Sequence, residues 1–137
     1  MNALVDTNVW LDVFLAREPF ATTSGRAISI LDGPEYGLFA GATTMTTIFY
    51  LVEKYRGRTT AFRKLRSLLD RCRIAPVDES VLGAALKVDF DDYEDAVLHA
   101  TADAAGLEAI LTRNPGDFAG ASLRIFTPEE FVAIQKS

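Results

Sequence analysis

The sequence has few of the residues on which several kinds of chemistry depend. Of its 137 residues one is a cysteine, Cys72, and one is a histidine, His99. A single cysteine excludes an intramolecular disulfide and any multi-cysteine zinc site. Cys72 lies in a basic helical stretch, where a thiol pKa can fall, but nothing near it reads as a partner base. A Ser-His-Asp arrangement would have to use His99, and no G-x-S-x-G elbow is present. His99 reads instead as a partly buried helix residue. No glycine-rich loop ends in Lys-Ser or Lys-Thr, which counts against a P-loop nucleotide hydrolase. No apolar run approaches the ~20 residues that span a bilayer, and no basic segment followed by an apolar one opens the chain. The expectation is a protein without a membrane segment, working in the cytoplasm.

Excess positive charge is also missing. The net charge of −5 argues against a generally basic nucleic-acid binder. The distribution says more than the sum. Lys54, Arg56, Arg58, Arg63, Lys64, Arg66, Arg71 and Arg73 face a single acid, Asp70, within one stretch. Asp89, Asp91, Asp92, Glu94 and Asp95 crowd together soon after. A basic face beside an acidic focus suits a site that holds cations next to a surface that tracks phosphates; taken alone, the basic run reads better as a solvated helix face.

What is present is an ordinary soluble composition, 49% hydrophobic and 24% charged, in a length that suits one domain over residues 1–137. Ala3-Leu4-Val5 is a short apolar run that stops at Asp6-Thr7-Asn8. Strands of parallel sheets are buried on both faces and look continuously apolar. Further strands are expected at Tyr36 to Ala42, Ile74 to Val77, Ala109 to Thr112 and Leu123 to Phe126. Helices are expected at Asn8 to Ala16, Phe20 to Leu31, Thr44 to Tyr55, Thr59 to Cys72, over Val81 to Val88, and from a cap at Asp92 to about Ala105. Thr127-Pro128-Glu129-Glu130 is a helix start with a capping box. Strands and helices in alternation predict an α/β fold, with helices on both faces of a mostly parallel sheet.

Open α/β sheets bind ligands outside the carboxyl ends of their strands. Three acids fall at strand ends or helix starts facing that rim: Asp6, Asp95 and Asp117. Glu53 is a possible fourth. Asp6 has a plain alternative as a helix cap. Converging carboxylates without basic partners repel, and a divalent cation with oxygen ligands is the simplest way to hold them together. Mg²⁺ or Mn²⁺ fits, and would serve to activate water against a phosphoryl centre. A phosphorylated strand-end aspartate calls for a lysine after a later strand. Lys54, Lys64, Lys87 and Lys136 are the lysines of the chain, and none follows one.

Three segments, Leu4-Val5-Asp6-Thr7-Asn8-Val9, Asp92-Tyr93-Glu94-Asp95-Ala96 and Leu111-Thr112-Arg113-Asn114-Pro115-Gly116-Asp117-Phe118, resemble the PIN-domain family in order and spacing. The match extends to the closing Thr127-Pro128-Glu129-Glu130-Phe131. The resemblance implies a three-layer α/β/α sandwich and metal-dependent cleavage of RNA. Many small prokaryotic members are VapC-type ribonuclease toxins, silenced by a cognate antitoxin and usually dimeric. By position, Asp6 and Asp95 match the family's two most dependable metal-binding aspartates, and Asp117 a later acid. The family's glutamate belongs early in the helix after the second strand. The usual spacing puts it at Phe49, and Glu53, one turn on, is the nearest acid.

The resemblance therefore implies that Asp6, Asp95 and Asp117 hold Mg²⁺ or Mn²⁺; Glu53 is either a further acid of the site or a surface residue before Lys54, which leaves the site one acid short. Thr7, Asn8 and Asn114 orient carboxylates or water, and Asp92 is either a supporting acid or the helix cap. Arg113 and the basic segment containing Arg56 and Arg58 hold the RNA backbone. The region of Trp10, Val13, Phe14 and Phe20 is either core or part of a dimer or antitoxin interface. The competing reading is a degenerate PIN-like module that binds nucleic acid or protein without cutting; a third is a phosphohydrolase acting on small esters.

Overall fold

The computed structural model describes residues 1–135. Five short, largely apolar segments form the strands: β1 Asn2–Val5, β2 Gly37–Gly41, β3 Arg73–Ala75, β4 Ala109–Leu111 and β5 Arg124–Phe126. All five pair in parallel, in the spatial order β3-β2-β1-β4-β5. The central strand is thus the first in the chain. From it the chain works outward to β2 and β3, then returns to the other side of β1 for β4 and β5. That reversal of direction lies between β1 and β4, the place where ligands collect in such sheets.

The helices are α1 Thr7–Phe14, α2 Phe20–Leu31, α3 Ala42–Arg56, α4 Arg58–Arg71, α5 Glu79–Ala85, α6 Tyr93–Ala104 and α7 Pro128–Ile134. Alternation along β1 assigns them to two layers. Ala3 and Val5 pack with Leu11 of α1, Leu31 of α2, Ile48 and Val52 of α3, Leu68 of α4 and Phe131 of α7. Leu4, between them, points the other way and packs with Leu98 and Ala102 of α6 and with Phe118. α5 covers the outer side of α6 through Val81, Ala85, Ala96 and Val97. The result is the three-layer α/β/α sandwich expected from the sequence, with a sheet that is wholly rather than mostly parallel.

Local chemistry sets the helix ends. Gly57 joins α3 to α4 with φ +88°, a conformation that disfavours side chains. The capping box at α7 is complete: the Glu130 amide donates to the Thr127 hydroxyl (3.0 Å), and the Thr127 amide donates to the Glu130 carboxylate (3.1 Å). Gly41, at the exit of β2, has Leu98 of α6 so close that an added Cβ would sit 3.2 Å from its methyl. The absence of a side chain there lets α6 lie against the strand ends.

Candidate metal site

The carboxyl end of β1 carries Asp6, and its neighbour β4 ends one residue before Thr112. The register Val5↔Leu111 places the two side by side. The Asp6 amide donates to the Leu111 carbonyl (2.9 Å), which extends the ladder past the strand. The Thr112 hydroxyl donates to Asp6 Oδ2 (2.8 Å) and accepts from the Asn114 amide (3.1 Å). Asp6 stands at the N-cap position of α1, yet its carboxylate makes no capping hydrogen bond. Its plain alternative as a cap is therefore not what the chain uses it for. Thr7 is buried as well, and its hydroxyl meets that of Thr44 at 2.8 Å, tying the start of α1 to the start of α3.

Facing Asp6, the first turn of α6 supplies a second group of acids. Asp92 is the helix cap: its Oδ1 accepts from the amides of Glu94 (2.7 Å) and Asp95 (3.2 Å). Glu94 and Asp95 follow within the same turn. The third contribution comes from a 3-10 turn, Pro115–Phe118, that follows β4. Phe118 anchors this turn in the core at 2% exposure, beside Phe90, so that Asp117 is held next to a fixed point.

Asp6, Asp92, Glu94, Asp95 and Asp117 line one pocket of about 220 Å³ together with Thr7, Asn8, Leu11, Thr47 and Leu51. No lysine, arginine or histidine is among them. The electrostatics follow from that. Burial pushes the Asp6 carboxyl up; hydrogen bonds from the Thr112 hydroxyl and the Thr7 backbone amide oppose the shift, and Glu94 and Asp117 reinforce it. Asp95 is pushed up to about 7 by burial and by Asp6, Asp92, Asp117 and Glu94. Among the described residues, no three histidine, cysteine or acidic side chains stand close enough to form a ready coordination shell. As a donor set the pocket fits a hard divalent cation: its charged groups are all carboxylates, and one of them is buried.

Other residues singled out in the sequence lie elsewhere. α3 turns Thr47 and Leu51 to the pocket, one helical turn apart. Glu53 is six residues beyond Thr47, about 240° further round the helix, and its carboxylate is 3.0 Å from Arg58. Phe49, where family spacing would put the acid, packs against Phe62 at 5.0 Å between ring centroids. Arg58 lies over the same two rings, and Arg56 donates to the Leu15 carbonyl (3.0 Å). Arg113 faces away from the acids: its Nε is 2.9 Å from Asp12, and its guanidinium covers Phe20. Asn114 contributes its amide to Thr112, and its side chain does not line the pocket.

Cys72 is not activated by its basic surroundings. Its thiol is pushed up to about 12, by burial first and then by Asp32. His99 is buried, as expected of a helix residue, and its Nε2 accepts from the Ser122 amide (3.2 Å). Burial lowers its pKa, against a smaller opposing effect of Asp103.

These shifts predict how the metal-free protein responds to pH. Asp95 titrates near 7 when folded and near 3.8 when unfolded. Its contribution to stability is fully present below the unfolded value and is lost as pH rises through about 7. Asp6 acts in the same direction. His99 acts in the opposite one: its contribution is present above 6.5 and is lost as pH falls below it. The melting temperature of the metal-free protein should therefore rise as pH is lowered from ~8 toward ~6.5. Asp95→Asn should flatten the rise, and a flat profile in the unmodified protein would contradict it.

Two residues of this site carried no signal that a sequence reading could use. Thr112 closes an apolar strand, but only the strand order reveals that it faces Asp6. Thr47 is one of four threonines at the start of α3, and only the helix phase distinguishes it.

Comparison with known proteins agrees with this architecture. The family model described as the PIN domain matches residues 2–115. No curated protein sequence matches significantly. Among solved structures, a toxin-antitoxin complex from Klebsiella pneumoniae is similar at 25% identity and TM-score 0.68, covering 92% of this chain and 97% of that one. VapC20 from Mycobacterium tuberculosis, a sarcin-ricin-loop-cleaving toxin, has 18% identity and TM-score 0.71, with coverage of 88% and 95%. VapBC2 from Rickettsia felis, bound to a promoter DNA fragment, has 14% identity and TM-score 0.73, with coverage of 93% and 98%. With a family model matched over most of its length, on a wholly parallel sheet whose switch point carries the acids, the chain belongs to the PIN-domain family.

Proposed function

We propose that this protein is a divalent-metal-dependent endoribonuclease, the toxin of a toxin-antitoxin pair. The observation that carries the reading is a pocket at the switch point of the sheet that is lined by five carboxylates and no cationic side chain. Asp6, Asp95 and Asp117 would hold Mg²⁺ or Mn²⁺. When bound, such an ion lowers the pKa of water and offsets charge on a scissile phosphate.

The remaining work is done by the chain's own groups. Thr112 fixes one oxygen of Asp6 and leaves the carboxylate oriented toward the pocket. The Thr7–Thr44 contact holds the floor between α1 and α3. Asp92 sets the first turn of α6 and so the position of Asp95. Asp95, with a pKa of about 7, exchanges its proton near neutrality and is ready to give it up to an arriving cation. Arg56, Arg58 and Arg113 are tied to neighbouring groups, which favours RNA contacts made by other residues of the basic segment.

A protein partner is supported by a groove of about 570 Å³ between α1, α2 and α4, floored by Trp10, Val13, Phe14 and Ile28 and edged by Arg63, Lys64 and Arg71. An acidic, amphipathic antitoxin segment suits that combination. Assembly as a homodimer and residence in the cytoplasm belong to the same proposal; no helix among the described residues is long and apolar enough to cross a membrane.

The test is direct. The purified protein, incubated with labelled single-stranded and hairpin RNAs and Mn²⁺ or Mg²⁺, is expected to cut internally, and a chelator should stop it. Intact RNA under every divalent condition, with Mn²⁺ bound, would favour the non-cutting module.

A further inference from the structure

α3 brings no carboxylate to the pocket. The positions it turns inward are Thr47 and Leu51, Thr44 is engaged with Thr7, and Glu53 is paired with Arg58 on another face. The opposite wall has an acid to spare. In the first turn of α6, Asp92 is occupied by the two amides that it caps, and the Tyr93 hydroxyl donates to the Leu82 carbonyl. Glu94 lines the pocket, is exposed, and among the described residues has no ion pair and no side-chain hydrogen bond. It is longer than an aspartate by one methylene and free to turn. Nothing has to be broken for its carboxylate to swing toward a cation beside Asp6.

We propose that Glu94 is a ligand of the divalent cation, supplying from α6 the carboxylate that α3 lacks, so that Glu94 and Asp95 hold the ion together with Asp6 and Asp117. The inference rests on the metal-site reading given above. Electrostatics agree with the placement: of the two acids that act on Asp6 through space, Glu94 has the larger effect and Asp117 the smaller. The exchange also changes the shape of the site. The charge comes from the β1 exit, α6 and the 3-10 turn, and the side made by Thr47 and Leu51 is neutral, which leaves that side to the substrate.

The experiment measures Mn²⁺ binding to the full-length protein by isothermal titration calorimetry, with no substrate present. Glu94→Gln is expected to weaken binding about tenfold or more, and Asp95→Asn at least as much. Two controls separate ligation from a general loss of negative charge. Asp91→Asn removes a charge from the same acidic run outside the pocket, and Glu53→Gln removes the acid of α3; both should bind within about twofold of the unmodified protein. Adding Thr47→Glu to Glu94→Gln should recover most of the lost affinity, because it returns a carboxylate to the neutral wall. Binding by Glu94→Gln that equals the unmodified protein, with Asp95→Asn impaired, would overturn the inference and leave the site reading in place. If Asp95→Asn also binds normally, the site reading falls and the inference falls with it.

Discussion

Asp6→Asn is expected to abolish divalent-dependent RNA cleavage, by about 100-fold or more, while making the metal-free protein more stable. The two effects have one cause. Asp6 is 5% exposed, and burial raises its pKa because a charge there lacks water. Replacing it with a neutral amide of the same shape removes that penalty and the repulsion from Glu94 and Asp117. The Thr112 hydroxyl keeps an acceptor, so the end of the sheet need not rearrange. What is lost is the carboxylate closest to the switch point, and a bound cation contributes several kcal/mol of charge stabilisation in such reactions. A loss of ~3 kcal/mol corresponds to about two decades in rate. Cleavage assays and thermal melts on the same preparation check both halves. Full activity in a well-folded Asp6→Asn protein would remove Asp6 from the metal site, and a large drop in melting temperature would mean that its charge supports the fold.

Asp12→Ala is expected to have the opposite profile, with a large loss of stability. Asp12 is fully buried in α1, and both its oxygens lie in close ion pairs, with Arg17 at 3.0 Å and Arg113 at 2.9 Å. Removing one partner of a buried pair leaves uncompensated charge and typically costs ~3–5 kcal/mol. Here two cations lose the same partner, and their side chains keep only 39% and 28% of their exposure to water. For a chain of this size the melting temperature should fall by about 10 °C or more. Arg113 directly follows Thr112, so the segment between β4 and the 3-10 turn should loosen as well. Chemical denaturation checks the energy, and proteolysis at the β4 exit checks the loosening. Arg113→Ala alone should cost less, because Arg17 still neutralises Asp12. A melting temperature changed by only a degree or two in Asp12→Ala would show that the network contributes nothing net.

Much of this molecule is legible in the chain because local rules carry it. The apolar run ending at Asp6, the cap at Asp92, the capping box at Thr127 and the helix between Phe20 and Leu31 all depend on residues within a few positions of one another. The acids at strand ends are legible for the same reason, since a carboxylate that terminates an apolar run has few places to go in a parallel sheet. What resisted reading depends on phase or on distance. α3 opens Ala-Thr-Thr-Met-Thr-Thr-Ile-Phe-Tyr, a sequence with weak contrast between its faces, so nothing local indicates that Thr47 rather than Phe49 turns inward. Glu53 looked available because its partner, Arg58, lies beyond the glycine that separates two helices. Arg113 looked free because Asp12 is on the first helix. In each case the missing information was the identity of a neighbour that the fold supplies and the sequence interval conceals.

The central strand of the sheet is the first to be made, yet its second neighbour, β4, comes late in the chain. Asp6 and Thr112, which meet at the carboxyl end of the sheet, are 106 positions apart. At ribosomal rates of about 5–20 residues per second, roughly 5–20 s pass between the synthesis of one and that of the other. For most of that interval β1 has no β4 beside it and the acids of α6 do not exist, and Asp117 is made only after Thr112. The pocket is therefore incomplete until the chain through Asp117 has been made and has left the ribosome.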